Sequence, residues 1–257
     1  PKLKLISQTG RNASHIDTAA AAAKGIVISA GGGGSPNPTA ELTWAIILAG
    51  LRNIPAEVQR MKDGQWQGSV GIGLKDKTLG VYAPGRIGSC VAQVGKAFGM
   101  QVTCWGRDAS KARARELGYA VPATREEFFA NADVISLHIP LNKETRGIVT
   151  AADLACMKPT ALFVNTSRAP LVAAGALLEA LEQGRPGFAA VDVYEEEPVV
   201  GGNHPLLKMQ NVICTPHLGY VEKSTYDAYY GAAIDGIVGF ASGKPVNVLN
   251  PEALAKK

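Results

Sequence analysis

The chain has 257 residues, which is enough for two lobes or one large α/β domain with a sizeable core. Hydrophobic residues make up 46% of it, charged residues 19%, and 29 residues are glycine, so disorder is excluded and many tight turns are expected. The 26 basic and 22 acidic residues are interleaved and give a formal net charge of +4, which indicates neither a nucleic-acid face nor a polybasic membrane segment.

The first part of the chain predicts a small βαβ unit followed by a long helix. Residues 3–7 and 25–29 form two predicted buried strands, joined by a helix that Ser14 can cap. After the glycines at 31–34, a long helix is predicted to start near Pro36 and Pro38 and to run to about residue 62. Pro55 must end or kink this helix, which we interpret as the link between two lobes.

The rest of the chain alternates regularly between strands and helices and predicts a doubly wound parallel sheet of the Rossmann type. A further helix, 223–240, and a tail follow the last strand. We assign residues 36–221 to a dinucleotide-binding domain with its linker helix, and residues 1–35 and 222–257 to a second, smaller lobe. The six strands of the sheet are predicted at 78–83, 101–105, 133–137, 161–165, 188–191 and 212–214.

The turn after the first strand of this sheet reads APGRIG, and it opens a predicted helix, 89–98. A glycine-rich turn between strand and helix aims backbone N–H groups at a pyrophosphate, which makes Gly85, Arg86, Ile87 and Gly88 candidate cofactor-binding residues. The first glycine of the usual pattern is replaced by Ala83, which adds a Cβ at the tightest point of the turn. The alternative is a βα turn that binds no ligand.

The end of the second strand predicts which dinucleotide binds. An acidic residue there accepts the ribose hydroxyls of NAD, but this chain has Gly106 followed by Arg107, which favours the 2′-phosphate of NADP over NAD. Lys111 and Arg113 are candidates to support Arg107. In the alternative interpretation these three cations form a solvated helix face and Asp108 takes the ribose.

Three motifs follow the last strands: NTSRAP at 165–170, DVYEEEP at 192–198 and CTPHLG at 214–219. With these motifs the chain resembles, over essentially its whole length, the D-isomer-specific 2-hydroxyacid dehydrogenases, which include phosphoglycerate dehydrogenase and the glyoxylate/hydroxypyruvate reductases. The resemblance implies a Rossmann domain with a smaller flavodoxin-like substrate lobe. Because members of this family carry further N-terminal residues, we expect the lobe to be incomplete here, with an exposed strand edge.

The resemblance also implies the catalytic residues. Arg168 matches the arginine that binds the substrate carboxylate and polarises its carbonyl, and Glu197 and His217 match the pair in which an oriented imidazole donates a proton. Further family positions correspond to cofactor contacts at His138, Ile139, Pro140, Thr166 and Asp192, and to substrate contacts at Arg11 and Asn12. His15 and His204 are interpreted as non-catalytic.

Each catalytic residue has a structural alternative when it is taken singly: a surface turn for Arg168, the end of a solvated acidic run for Glu197, and a satisfied histidine behind a proline for His217. Arg11 adds an unusual positive charge beside the expected substrate position, where it can select a second anionic group.

The expected function is hydride transfer between NADP or NAD and a small 2-oxo or D-2-hydroxy acid, with hydroxypyruvate, glyoxylate or a phosphoglycerate-like acid as substrate. One alternative is a nucleotide-gated binding module that resembles the C-terminal binding protein corepressors, and another is an inactive cofactor-binding remnant. A homodimer is expected, because a helix with Trp44, Ile47, Leu48 and Leu51 carries more apolar surface than one lobe needs.

The four cysteines lie far apart and show neither a metal-ligand spacing nor a disulfide framework, which favours a reducing cytoplasm and no metal. The longest apolar run, 44–51, is shorter than the roughly 20 residues that span a bilayer, and no signal-peptide pattern opens the chain. We therefore expect a cytoplasmic protein that binds no membrane and no nucleic acid.

Overall fold

The computed structural model describes residues 2–10, 15–32 and 34–256. These residues form two compact units. The larger unit is Pro36–Gly219, and the smaller one combines the described residues before Pro36 with those after Gly219. Within the described residues, no helix is both long enough and apolar enough to cross a bilayer.

The secondary structure alternates between strands and helices along most of the chain. In chain order the helices and strands are β1 (Leu5–Ser7), α1 (Thr18–Ala23), β2 (Val27–Ser29), α2 (Asn37–Leu51), α3 (Ile54–Lys62), β3 (Thr78–Tyr82), α4 (Arg86–Ala97), β4 (Gln101–Trp105), α5 (Asp108–Glu116), α6 (Arg125–Asn131), β5 (Val134–Leu137), α7 (Ala151–Cys156), β6 (Leu162–Asn165), α8 (Ala176–Glu182), β7 (Phe188–Val191), β8 (Val212–Cys214) and α9 (Lys223–Ala241). Short 3-10 helices occupy Ala169–Leu171, Pro205–Lys208 and Pro251–Lys256.

The larger unit is built on a six-stranded parallel sheet with the order β4-β3-β5-β6-β7-β8. A parallel bridge between Thr103 and Ala120 adds one more position beyond β4. The chain therefore leaves β3 in one direction and returns to pair on its other side, which is the switch in strand order of a doubly wound sheet. This confirms the predicted fold class, and the predicted strand bounds agree with the structure to within two residues.

Helices cover both faces of this sheet, as the buried runs of the strands require. Along β5, Val134 packs in the core under α2 and α4, whereas Ile135 and Leu137 pack in the core on the opposite face, against α6 and α7. Trp44 and Ile47 of α2 are buried in the first core. The expectation that they form spare apolar surface was therefore wrong, because the sheet and α4 cover these positions of α2.

The long predicted helix is two helices, as Pro55 requires. Asn53 adopts a left-handed conformation with φ of 53°, and Pro55 lies in the first turn of α3, where its missing N–H costs nothing. Helix α4 begins at Arg86, three residues before its predicted start, because Gly85 already acts as its N-cap.

The smaller unit contains the two-stranded parallel sheet of β1 and β2. Helix α1 starts at Thr18, and the Asp17 carboxylate accepts the Ala20 N–H at 2.8 Å. The cap is therefore Asp17, and the predicted Ser14 lies outside the described residues. The outer edge of β2 is covered by the C-terminal tail, since Ser29 and Val248 form an antiparallel bridge and the Asn250 side chain accepts the Ile28 N–H at 2.8 Å.

Candidate active site

The turn between β3 and α4 has the geometry of a phosphate loop. The Gly85 N–H donates to the Ala83 carbonyl at 2.8 Å, and helix α4 begins directly afterwards. A Cβ at Gly88 would lie 2.4 Å from the Ala83 carbonyl oxygen, so this position needs glycine. A Cβ at Gly85 would meet no atom within 4 Å, so a ligand has room to approach the backbone there. The loop thus fits a pyrophosphate beside the N-terminus of α4, where Arg86 and Ile87 form the first turn.

Ala83 occupies this turn at a conformational cost. Its φ is +67°, in the left-handed region that costs a non-glycine residue about 1–2 kcal/mol. Four other described non-glycine residues have positive φ, and each is of a type that tolerates it through a polar side chain: Asn53, Asp76, His217 and Asn247. Alanine has no such compensation, so the backbone of the turn is strained at Ala83.

A cleft of about 300 Å³ opens between the ends of β3, β4 and β5. Its wall includes Gly106, Arg107 and Ser110, and across from them Ile139, Pro140 and Glu144. Gly106 has a φ of +149°, and a Cβ there would lie 2.7 Å from the Ser110 Cβ, so glycine is required. Asp108, the alternative candidate for binding the ribose, is not among the described residues that line this cleft.

The charges of this cleft are paired. An Arg107 guanidinium nitrogen lies 3.2 Å from a Glu144 carboxylate oxygen, and both side chains are largely exposed. The Lys111 ammonium lies 3.9 Å from the centre of the Trp105 ring, in a cation–π contact. Arg113 instead pairs with Glu116 at 3.2 Å and is absent from the described lining of the cleft.

Arg125 forms part of the cleft wall and was missed in the sequence. It binds both oxygens of Asp153, at 2.6 and 2.7 Å, and also donates to the Tyr82 hydroxyl and the Ile148 carbonyl. Burial by itself would raise the pKa of Asp153, but the bonds from Arg125 and Thr150 outweigh it and lower that pKa. Arg125 thereby ties α6 to the start of α7. Only the capping pattern around Thr150 and Asp153 was visible in the sequence as a signal.

His138 follows β5, and its ring is held on one side. Its Nε2 lies 2.9 Å from the Ser136 hydroxyl, whereas its Nδ1 is buried and finds no hydrogen-bond partner among the described residues. Burial lowers the pKa of His138 to about 4, so the ring is neutral at pH 7.

Thr166, at the end of β6, belongs to a chain of threonines. The Thr43 hydroxyl donates to the Thr39 carbonyl at 2.7 Å, so in its 2.8 Å contact with Thr166 the proton must come from Thr166. The Thr39 hydroxyl in turn donates to the Gly219 carbonyl at 2.9 Å. Helix α2 therefore links the end of β6 to the loop that follows β8.

Arg168 is exposed at the end of β6, and the buried Asn165 shapes its loop. The Asn165 amide donates to the Arg168 carbonyl at 2.9 Å, and its oxygen accepts the Ser167 N–H at 3.0 Å. The Ser167 hydroxyl donates to the Ile139 carbonyl. Asn165 stood in the NTSRAP motif, but its positioning role was not predicted.

Glu197 and His217 are brought together from two loops. The Glu197 Oε2 lies 2.6 Å from the His217 Nδ1, and its Oε1 accepts the Tyr194 N–H at 2.9 Å. The Tyr194 hydroxyl donates to the Thr215 carbonyl, so Tyr194 binds both loops. His217 itself has a φ of 53°. The carboxylate fixes the orientation of the imidazole and leaves Nε2 as the ring nitrogen on the opposite side.

Asp192 is fully buried and holds the loop that carries His217. Its Oδ1 accepts the Thr215 hydroxyl at 2.5 Å and the Leu218 N–H at 2.7 Å, and its Oδ2 accepts the Gly219 N–H at 2.9 Å. The bonds lie on both sides of His217 in the sequence. This positioning contact was not predicted for Asp192.

His204 takes part in a separate pair. Its Nδ1 accepts the Leu206 N–H at 3.3 Å as a helix cap, and its Nε2 lies 3.1 Å from Glu195. The predicted substrate residues Arg11 and Asn12 lie outside the described residues. The other candidates all follow carboxyl ends of neighbouring parallel strands, which meet at one edge of the sheet.

Residues 44–219 match the family model of the D-isomer specific 2-hydroxyacid dehydrogenase, NAD binding domain. The chain belongs to this family of NAD(P)-linked oxidoreductases, which transfer hydride between 2-hydroxy and 2-oxo acids at the CH-OH group, and its cofactor is a nicotinamide dinucleotide.

Individual relatives agree with this family. A glyoxylate reductase of Aeropyrum pernix is 37% identical over 99% of this chain and 78% of its own length. A D-3-phosphoglycerate dehydrogenase of Methanocaldococcus jannaschii is 41% identical over 85% of this chain and 42% of its own. The crystal structure of a phosphoglycerate oxidoreductase from Vibrio cholerae matches with a TM-score of 0.89 and 48% identity, over 95% of this chain and 78% of that one.

Proposed function

We propose that this protein reduces a small 2-oxo acid, with glyoxylate, hydroxypyruvate or a phosphoglycerate-like acid as substrate, and that it prefers NADPH to NADH. The observation that carries the proposal is the 2.6 Å contact between Glu197 and His217, in which a carboxylate orients an imidazole at the edge of a dinucleotide-binding sheet.

In this proposal a domain of residues 36–221, with α2 as its linker helix, holds the cofactor, and residues 1–35 and 222–257 form the substrate lobe. Gly85 admits the pyrophosphate, Gly88 lets α4 pack closely against the Ala83 carbonyl, and the cleft beside Gly106 and Arg107 takes the adenosine end. The groups after β5 and β6 line the cofactor groove: His138, Thr166, and Ile139 and Pro140 in the wall of that cleft. Asp192, after β7, is assigned to the nicotinamide carboxamide. A bound nicotinamide cofactor supplies the hydride.

The remaining steps are assigned to side chains of this chain. The Arg168 guanidinium binds the substrate carboxylate and polarises its carbonyl, since its planar fork suits a carboxylate. His217 donates a proton from Nε2 to the carbonyl oxygen as the substrate is reduced, and Glu197 stabilises the imidazolium before that transfer. In the reverse direction, neutral His217 accepts the proton. Arg11 and Asn12 are proposed as further substrate-binding residues.

The NADPH preference rests on the absence of a carboxylate at the end of β4. Gly106 occupies the position where an acidic residue accepts ribose hydroxyls, and Arg107 offers a guanidinium to a 2′-phosphate.

The test follows cofactor absorbance while glyoxylate, hydroxypyruvate and phenylpyruvate are added in turn. The wild type is expected to oxidise NADPH with at least one small acid, and His217→Ala to lose about 10²- to 10⁴-fold in kcat with nearly unchanged NADPH affinity. Arg168→Ala is expected to raise KM and lower kcat together. His204→Asn is the matched control, because it removes the other imidazole–carboxylate pair and keeps a capping residue. Cofactor binding without turnover would overturn the proposal.

We further propose a homodimer in which α3 takes part. Ile54, Val58 and Met61 of this helix are about half exposed, and Trp66 beyond it is 73% exposed. Sedimentation of the wild type and of Val58→Glu tests this: the wild type should sediment as a dimer and the variant with a larger monomer fraction, whereas a monomeric wild type would refute it.

A further inference from the structure

The wall of the cleft beside Gly106 contains an acidic residue, Glu144, in addition to Arg107. Glu144, on the turn after β5, faces Arg107 from the opposite wall, and their charged groups lie 3.2 Å apart. Arg107 is the residue proposed to meet a 2′-phosphate. The same guanidinium is therefore already engaged by an anion of the protein.

The turn that carries Glu144 is fixed by its neighbours. The Asn142 side-chain oxygen accepts the N–H groups of Glu144 at 2.9 Å and Thr145 at 3.0 Å. The Thr145 hydroxyl accepts the Asn142 N–H and donates to the Pro140 carbonyl at 2.7 Å, and Thr145 is buried. This local network holds the backbone of Glu144 at the cleft mouth whether or not its carboxylate is paired.

Among the described residues that line the cleft, Glu144 is the one that carries a carboxylate. Its negative charge opposes the binding of a second anion, such as a 2′-phosphate, in the cleft. The lining also contains Arg107 and Arg125, and Arg125 is already neutralised by Asp153. The Lys111 ammonium lies over the Trp105 ring. A 2′-phosphate entering the cleft would thus compete with Glu144 for Arg107 and be repelled by its carboxylate, whereas ribose hydroxyls can donate to that carboxylate.

We propose that Glu144 is a cofactor-specificity residue, whose carboxylate pairs with Arg107 across the cleft and lowers the preference for NADPH that Gly106 and Arg107 would give without it. This inference rests on the proposed function, because it requires the adenosine end of the dinucleotide to bind in this cleft. The effect is graded and does not exclude NADPH, because the Arg107–Glu144 pair is about 70–75% exposed and such a pair is easily opened.

The experiment measures dissociation constants of NADPH and NADH by titration of the wild type, Glu144→Gln and Glu116→Gln. Glu144→Gln is expected to tighten NADPH about three- to tenfold and to change NADH by less than about twofold. Glu116→Gln is the matched control, because it removes an equal charge from an exposed pair at the same 3.2 Å distance, with Arg113 on α5. It is expected to change both constants by less than about twofold.

Two further measurements test whether the effect of Glu144 depends on Arg107 and whether it is electrostatic. In the Arg107→Ala background, removal of Glu144 should tighten NADPH less than in the wild type, because the competition for the guanidinium is gone. In about 1 M salt, where the Debye length is about 3 Å, the gain from Glu144→Gln should fall below about twofold.

The outcomes distinguish this inference from the function on which it rests. Suppose that the wild type binds both cofactors and reduces a 2-oxo acid, while Glu144→Gln leaves the ratio of the NADPH and NADH dissociation constants unchanged. The role of Glu144 is then refuted and the proposed function stands. An equal change in Glu116→Gln also refutes it, since a long-range charge effect would then suffice. If the wild type binds neither dinucleotide, both proposals fail.

Discussion

The candidate site runs along the carboxyl edge of the six-stranded sheet, and the two ends of that edge are built in opposite ways. The proposed nucleotide end, formed by the residues after β3, β4 and β5, depends on backbone shape at Ala83, Gly85 and Gly106 and on exposed charges such as Arg107. The histidine end, formed by the residues after β6, β7 and β8, presents its functional side chains from loops that buried polar groups hold in place. Asp192 alone makes three such bonds.

Because of this difference, substitutions at the first end should alter cofactor preference, whereas substitutions at the second end should disturb the positions of the functional side chains. Exposed charges at the nucleotide end can be exchanged at a cost of about 1 kcal/mol or less, so cofactor preference can change without loss of the fold. At the histidine end, removing a buried acceptor leaves donors unsatisfied, each at a cost of about 1–3 kcal/mol. We therefore expect substitutions at the two ends to differ in size and in kind.

The largest effect is expected from Asp192→Ala. It leaves the Thr215 hydroxyl and the N–H groups of Leu218 and Gly219 without their acceptor, and the free energy of unfolding should fall by about 3–5 kcal/mol. Because the loop of His217 is then released, kcat should also fall by at least about 100-fold. Urea denaturation and steady-state kinetics measure the two effects.

Glu196→Ala is the control for this variant, since it removes an exposed carboxylate from the same motif and should change stability by less than about 0.5 kcal/mol. Asp192→Asn keeps the shape of the side chain and distinguishes lost function from failed folding. A folded Asp192→Asn protein with wild-type kcat would contradict the positioning role.

An intermediate effect is expected at acid pH from His138. Its folded-state pKa of about 4 lies below the usual value of about 6.5, so between these values the unfolded chain binds a proton that the folded protein does not. Stability should be fully present above pH 6.5 and should fall by up to about 3 kcal/mol as the pH drops towards 4.

The measurement is the unfolding free energy of the wild type and of His138→Gln at several pH values in this window. In the variant the unfolding free energy should depend less steeply on pH, and the difference in slope should correspond to up to one proton taken up on unfolding. An unchanged slope in His138→Gln would show that the folded protein also protonates this ring, and that its burial has little energetic effect.

The sequence predicted the fold well because strand and helix periodicity depends on nearest neighbours, and the strands β4, β7 and β8 have their predicted bounds. It also predicted the pairing of Glu197 with His217, through motifs whose letters are specific. The contacts of Asn165 with Ser167 and Arg168 are local, and they were missed because they depend on the conformation of the turn and not on a residue pattern. The Tyr194–Thr215 contact and the contacts of Asp192 were missed because they join loops that are distant in the chain and whose approach depends on the packed sheet. Arg125 and Glu144 were missed for the same reason.

Helix starts were less predictable than strands. The start of α4 was placed three residues late, since Gly85 has no side chain that marks it as a cap. At α1 the cap is Asp17, one of two capping residue types close together in the sequence, and only the folded backbone distinguishes them.

The smallest effect is expected from Ala83→Gly, which tests the strain at the nucleotide end. Glycine removes the cost of φ at +67° but gains freedom in the unfolded chain, so the net gain in stability should be about 0.5–1 kcal/mol. Ala109→Gly, at an exposed position inside α5, is the control with the opposite sign, because glycine in a helix costs about 0.5–1 kcal/mol. Thermal unfolding compares the two variants, and titration with NADPH and NADH should show that Ala83→Gly binds both more tightly by the same factor, since the pyrophosphate is common to them. A gain for only one cofactor would mean that Ala83 acts on the adenosine cleft instead of the phosphate loop, and a loss of stability would mean that the turn carries no strain.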